Sequence, residues 1–260
     1  MFKYMKQLKH LYLPIEYRVR GKLELANLSY LQTLVNVQPR TIQFPTWFEL
    51  NRLRVLKVRN NNWAQVAMQM LISRCPLVEK INLRNIKKLP EAHQFSPNLV
   101  KLTLYGNWLE DEPMPTLEKL PNLKILHLFG FTMNRRDMVS FEGGFPLLQY
   151  LFIDEFFYLK EWRVEKGAMP SLHHLEIHWW LYFEEWRVEE GAMPSLCHLT
   201  IGSCRRLQTI PDGLRFVTTL QELKIESMPK SFKDRHDKVG PDFDKVKHVS
   251  SLVFRDCDRE

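Results

Sequence analysis

Between Glu161 and Cys204 the chain reads "EWRVEKGAMPSLHHLEIHWWLYFEEWRVEEGAMPSLCHLTIGSC", which says nearly the same thing twice. From Glu161 to Leu175 and again from Glu185 to Leu199, thirteen of fifteen residues are identical at an offset of 24. A fixed period in this range is the mark of stacked repeats. Each copy ends in Leu-x-x-Leu-x-aliphatic: Leu172, Leu175, Ile177 and then Leu196, Leu199, Ile201. The same phrase recurs at Leu8, Leu53, Val78, Leu99, Leu123, Leu148, Leu220 and Val249, with a degenerate copy at Leu31. Successive first positions are 23, 22, 25, 21, 24, 25, 24, 24, 24 and 29 residues apart, a spread too narrow for chance.

The last two apolar residues of the phrase alternate, as a short strand with one buried face requires. One unit cannot bury enough surface alone, so neighbours must stack into a parallel sheet over one continuous leucine core. The returning half supplies its own anchors; in "RLQTIPDGLRFVTTLQEL" Leu207, Ile210 and Leu214 point inward while Pro211, Asp212 and Gly213 break the chain. The expected fold is an α/β leucine-rich-repeat solenoid, curved, of about eleven irregular repeats, with its parallel sheet on the concave face. At about 4.8 Å per strand, that sheet is roughly 50 Å long.

In such repeats the eighth position after the first leucine often holds Asn or Cys, which satisfies backbone groups at the bend. Asn61, Asn107 and Cys204 fit, whereas Phe131, Phe156 and Trp180 do not, so irregular turns are expected there.

Repeats fill residues 1–260 and leave no room for a second domain. Nothing covers Leu8, Leu11 and Leu13, which suggests a piece of a longer protein whose first repeat meets open solvent. A polar insertion at 228–248, "MPKSFKDRHDKVGPDFDKVKH", precedes the last repeat, and "RDCDRE" looks like a natural end. No run of 18 apolar residues exists, and "MFKYMKQLKHLYLP" lacks the apolar core of a signal peptide. Four scattered cysteines (Cys75, Cys197, Cys204, Cys257) and one sequon at Asn27 fit a reducing, cytoplasmic location.

The phrases "LKHLYLP", "LSYLQTLVNV", "CPLVEKINL", "PNLVKLTLYGNWLEDEPMPTLEKLPNLKILHL" and "IPDGLRFVTTLQELKIESMPKSFKDR" resemble the C-terminal repeats of plant intracellular immune receptors of the coiled-coil nucleotide-binding leucine-rich-repeat class. Met228-Pro229-x-x-Phe232 and Ile210-Pro211-x-Gly213-Leu214 make the likeness more specific than the bare repeat. The resemblance implies a region that senses a pathogen effector or a guarded host protein and restrains a nucleotide-binding switch. The family's phosphate loop, Met-His-Asp motif and coiled coil are absent from this sequence. No cofactor is expected on this chain; ADP or ATP would belong to the nucleotide-binding domain of the parent protein.

Residues two, four and six places after the first leucine should face outward in columns. The early repeats present Lys57, Arg59, Lys80, Arg84 and Lys101, a basic end suited to an acidic face of the receptor's own nucleotide-binding domain. The centre presents Tyr105, Phe129, Tyr150 and Phe152; the later repeats present Asp154, His174, Glu176, His178, His198, Glu222 and Glu226, with Trp179 and Trp180 beside them. Aromatics flanked by charge are the make-up of interface hot spots. The bland alternative is simple exposure, or rings tucked into the core by irregular repeats.

A net charge of +7 raises nucleic acid as a partner, but the basic residues are spread along the chain and no nucleic-acid module appears. His173, His174, Cys197 and His198 tempt as metal ligands, yet they are copies of one another and alternate in direction. Paired histidines could instead sense mild acid. Glu161, Glu165, Glu185, Glu189 and Glu190 sit on an outward turn segment as solvated charge, Gly143-Gly144 is a turn, and no enzyme constellation emerges. The alternative function is the substrate-selecting solenoid of an F-box ubiquitin ligase, for which the upstream sequence decides.

Overall fold

The structure, a computed structural model, describes residues 4–15, 22–43, 45, 49–59, 65–106, 108–133 and 136–257. Among these, eleven strands form one parallel sheet in chain order: His10–Tyr12, Thr33–Val37, Val55–Arg59, Lys80–Arg84, Lys101–Tyr105, Ile125–Phe129, Tyr150–Asp154, His174–His178, His198–Gly202, Glu222–Glu226 and Ser251–Arg255. Each strand is one copy of the leucine phrase. Leu102, Leu126, Leu151, Leu175, Leu199 and Leu223 lie directly opposite one another across the sheet. All six are buried in a single core. A slip of one residue would turn this whole column to solvent, so burial itself fixes the register. The degenerate repeat shows its weakness as a register shift between Leu34 and Val37, where Asn36 turns left-handed and donates its side-chain N–H to the Leu13 carbonyl.

The turns after the strands correct one expectation. Phe131, Phe156 and Trp180 do not make those turns irregular. In the regular repeats the residue just before the eighth position is left-handed whatever its type: Asn85, Gly106, Gly130, Glu155, Trp179, Ser203, Ser227 and Asp256 all have φ between 50° and 67°. Its N–H donates to the carbonyl at the sixth position of the next repeat, as from Gly130 to Asp154, Glu155 to His178 and Trp179 to Gly202. The backbone therefore satisfies the bend, and the eighth side chain is free to fill the core. Phe131, Phe156 and Trp180 form a buried ladder with ring centroids 5.0 and 5.3 Å apart. Trp180 thus belongs to the interior and not beside the concave face. Cys204 continues the row, with its thiol pushed up to about 12 by burial. Asn61 and Asn107 lie outside the described residues.

On the returning side, Glu161 and Glu185 lie on strands rather than a turn segment. Asp137–Ser140, Glu161–Val164 and Glu185–Val188 build a second, three-stranded parallel sheet. The duplicated "EWRV" aligns with itself, stacking Trp162 on Trp186 with centroids 5.4 Å apart and rings nearly parallel at 4°. Trp162 Nε1 donates to Ser140 Oγ at 3.2 Å. Trp186 Nε1 has no acceptor, because the residue equivalent to Ser140 is Val164. The duplication carried the ring but not its hydrogen-bond partner.

Leu11 and Leu13 are also better covered than expected: both are buried against the second strand. The 228–248 insertion is folded, with a helix at Lys230–His236, a turn of 3-10 helix at Phe243–Lys245, and Met228, Phe232 and Val246 in the core. His236 is fully buried; the Ile210 backbone N–H donates to its Nε2 at 3.1 Å, so its Nδ1 donates to the Phe232 carbonyl at 2.7 Å. Asp242 receives Arg235 at 2.7 Å, Lys245 at 3.3 Å and the Thr209 hydroxyl at 3.0 Å, which clamps the insertion onto the preceding repeat.

The ladder yields a test. Replacing Phe156 by Asn restores the residue that the repeat rule prefers, yet it puts an amide among rings. Urea unfolding of Phe156→Asn should show a loss of about 3–5 kcal/mol, as for truncation of a buried aromatic. An unchanged midpoint would mean that the eighth position serves the turn after all.

Candidate functional site

The broad face of the eleven-stranded sheet gathers the residues that its columns promised. Along each strand apolar and outward positions alternate, as in Ile125–Phe129 and Tyr150–Asp154. In-register pairing brings Tyr105 opposite Phe129 and Phe129 opposite Asp154, while Tyr150, His174, His198 and Glu222 form another column. Tyr105 and Phe129 stack at 4.5 Å, 4° from parallel; Phe129 meets Phe152 at 5.0 Å, and Phe152 stacks on His178 at 5.7 Å. The rings are half-buried by one another, neither free in solvent nor drawn into the core. Each such pair contributes about 0.5–1.5 kcal/mol beyond its area, so the band is preorganised. The outer edges of its rings remain accessible.

Sequence reasoning missed His127, which occupies the centre of this band against Tyr150 at 5.4 Å and Phe152 at 6.0 Å. It stands four places after Leu123, so the column rule that named Phe152 would have found it. Two further omissions change the later end. Lys224 pairs with Glu222 at 3.1 Å, and Arg255 pairs with Glu226 at 3.5 Å. The acidic end is therefore largely self-neutralised.

The basic end is not. Lys57, Lys80 and Lys101 lie on neighbouring strands with Arg59 and Arg84, and among the described residues none of the five has a carboxylate within ion-pair distance. Arg84 lies over the Tyr105 ring, its guanidinium carbon 4.6 Å from the centroid. The basic and aromatic stretches are thus one continuous surface. Trp179 stands exposed at the edge of the face on its left-handed backbone.

Charge at the centre is tuned by burial and by neighbours. Glu176 accepts the Tyr150 hydroxyl at 2.6 Å, with His178 Nε2 3.8 Å away. His178 first, and then Tyr150, hold its carboxyl below the usual range. Burial, with Glu155 adding repulsion, raises Asp154. His174 and His198 stack at 4.4 Å, 1° from parallel. Among the described residues no three His, Cys, Asp or Glu side chains converge as metal ligands would; His173 instead bonds the Ser171 carbonyl at 2.7 Å. No helix among them is long and apolar enough to cross a membrane.

Burial lowers His127, assisted by Lys101, and lowers His174, assisted by His198. A histidine whose folded pKa is depressed binds fewer protons when folded than when unfolded, so it subtracts stability as pH falls below about 6.5. Glu118, whose carboxyl burial raises to about 7, acts in the opposite direction but is common to all variants. Urea unfolding from pH 7 to pH 5 should therefore show a smaller loss of stability in His127→Gln/His174→Gln than in the native chain. Parallel declines would remove these two histidines from the acid response.

No family model matches this chain. Individual proteins do. RPP8, a disease resistance protein of Arabidopsis thaliana, is 31% identical over 289 residues, covering 100% of this chain and 29% of RPP8. A probable RPP8-like protein 2 from the same plant is 31% identical over 99% of this chain and 29% of its own length. A putative disease resistance protein of Arabidopsis is 34% identical over 98% of this chain and 27% of its own length. This chain accordingly spans under a third of the length of the relatives it matches. Along essentially all its repeats, it is related to plant disease resistance proteins of the RPP8 type, consistent with the C-terminal leucine-rich-repeat region of a nucleotide-binding immune receptor.

Proposed function

We propose that this chain is the recognition and restraining module of a plant immune receptor acting in the cytoplasm. Through its concave face it binds a protein, either a pathogen effector or a host protein that the effector attacks. The single observation that carries this reading is the preorganised aromatic band Tyr105–Phe129–Phe152 with His127 and Tyr150, open on its outer side and flanked by charge. Such a band on a sheet face matches the composition of interface hot spots. Asp154, His174, Glu176, His178, Trp179 and His198 extend the same surface and give it polarity.

The basic residues Lys57, Arg59, Lys80, Arg84 and Lys101 take a second role in this reading. They dock against an acidic face of the receptor's own nucleotide-binding domain at rest, so that occupancy of the aromatic band and release of the switch compete. Nucleotide would be held by that domain, since this sequence carries no phosphate loop. The relatives, being resistance proteins, support this reading over a ubiquitin-ligase solenoid.

Two measurements test it. Capture of protein partners on the purified chain should fall at least about tenfold in Phe129→Ala/Phe152→Ala, a hot-spot loss, and stay level in the outer-surface variant Tyr158→Ala. Equal losses in both would move recognition off this face. Charge reversal at Arg59 and Arg84 in the full-length receptor should release cell-death signalling without a pathogen; a silent resting state would remove the docking role.

A further inference from the structure

At the ends of the early strands the concave face opens into a cleft of about 420 Å³, lined by Arg59, Arg84, Tyr105, Phe129, Gly130 and Glu155 among others. Its origin lies in two adjacent repeats. At the left-handed position after the strand, other repeats carry Asn85, Glu155, Trp179, Ser203 or Ser227, so the backbone does not demand glycine there. Repeats five and six nonetheless have Gly106 and Gly130. A Cβ on Gly130 would lie 3.5 Å from the Gly106 Cα and 3.6 Å from Glu155 Oε2, so a longer side chain would extend into the cleft. The missing side chains leave the room, and the stacked Tyr105 and Phe129 rings border it with their edges.

The two arginines define what fits. Arg59 donates from Nη1 to the Ile15 carbonyl at 2.7 Å, which orients its guanidinium while leaving further donors. Arg84 has its guanidinium carbon over the Tyr105 ring. A planar guanidinium held in place is matched by a carboxylate, which accepts two parallel N–H bonds. Glu155 stands at the opposite end and suits a donor group.

We infer that this cleft is a side-chain pocket for an acidic residue of the protein partner: an Asp or Glu carboxylate seated on Arg59 and Arg84, with the apolar residue next to it against the edges of the Tyr105 and Phe129 rings. The inference rests on the reading of this face as protein-binding and names the chemistry of the segment it takes. The cleft also joins the basic and aromatic stretches, so one acidic-aromatic segment engages both at once.

The probe is the capped dipeptide N-acetyl-Phe-Glu-amide, compared with its neutral isostere N-acetyl-Phe-Gln-amide and with inorganic phosphate. Titration into the 260-residue chain is followed through the side-chain Nε–H NMR signals of Arg59 and Arg84. Saturable shifts should appear with the Glu peptide and weaken about tenfold with the Gln peptide, the scale of one charge-assisted contact. Gly130→Asn fills the cleft with a residue that tolerates the left-handed backbone, and Arg84→Gln removes one fork; each should weaken the Glu peptide about tenfold while leaving the urea midpoint near that of the native chain. Equal shifts with the Gln peptide, an undiminished response in Gly130→Asn, or phosphate binding as tightly as the peptide would overturn the pocket. The outcome separates from the proposed function. Peptide binding with partner capture indifferent to Phe129 and Phe152 leaves the pocket and sinks the broader reading, and the converse result does the reverse.

Discussion

Every regular repeat is tied to the next by a bond at the end of its strand. A left-handed residue turns the chain, and its N–H donates to a carbonyl of the following repeat, as from Ser203 to Glu226 and from Ser227 to Arg255. Holding a non-glycine residue there costs on the order of 1–2 kcal/mol, which the bond and the aligned strand beyond it offset. The result is a fixed register. Leucines stack on leucines, the eighth side chain drops into the core, and positions two, four and six rise in columns on the open face. Remove the register and neither the core nor the surface survives, because both are made of the same strands viewed from opposite sides.

The face inherits its chemistry from that alignment. No single strand supplies the band; Tyr105, Phe129 and Phe152 lie on three strands and meet when those strands pair. The same alignment stacks His174 on His198, residues produced by the internal duplication. Electrostatics then divides the surface. Lys224 and Arg255 quiet the acidic end, whereas among the described residues the five early cations have no carboxylate within ion-pair distance. In the proposed role, an asymmetric surface with an aromatic middle and one charged end chooses partners by charge and holds them by ring contact.

Much of this was legible in the sequence because a parallel ladder converts sequence spacing into distance. The eleven strands, the leucine column and the named face residues all follow from one phrase and its period. The failures share a cause. A side-chain rule for the bend does not fit Phe131, Phe156 and Trp180, because the backbone performs that task through φ. Trp180 adjoins the exposed Trp179 yet is buried, because successive residues of a bend point opposite ways. His127 was readable and overlooked. The folded insertion was not readable, since His236, Asp242, Lys245 and Thr209 meet only through tertiary packing and look polar in sequence. The cleft was equally silent, arising from what Gly106 and Gly130 lack.

Register can be measured directly in solution. With one spin label at Lys80 and a second at Tyr150, His198 or Glu222, the partners lie three, five and six strands away in the sheet. Pulsed dipolar distances should rise in that order by roughly 4.8 Å per strand, less a curvature correction and label length. Distances that fail to increase with strand number would contradict the stacked, in-register sheet on which both the core and the proposed binding face depend.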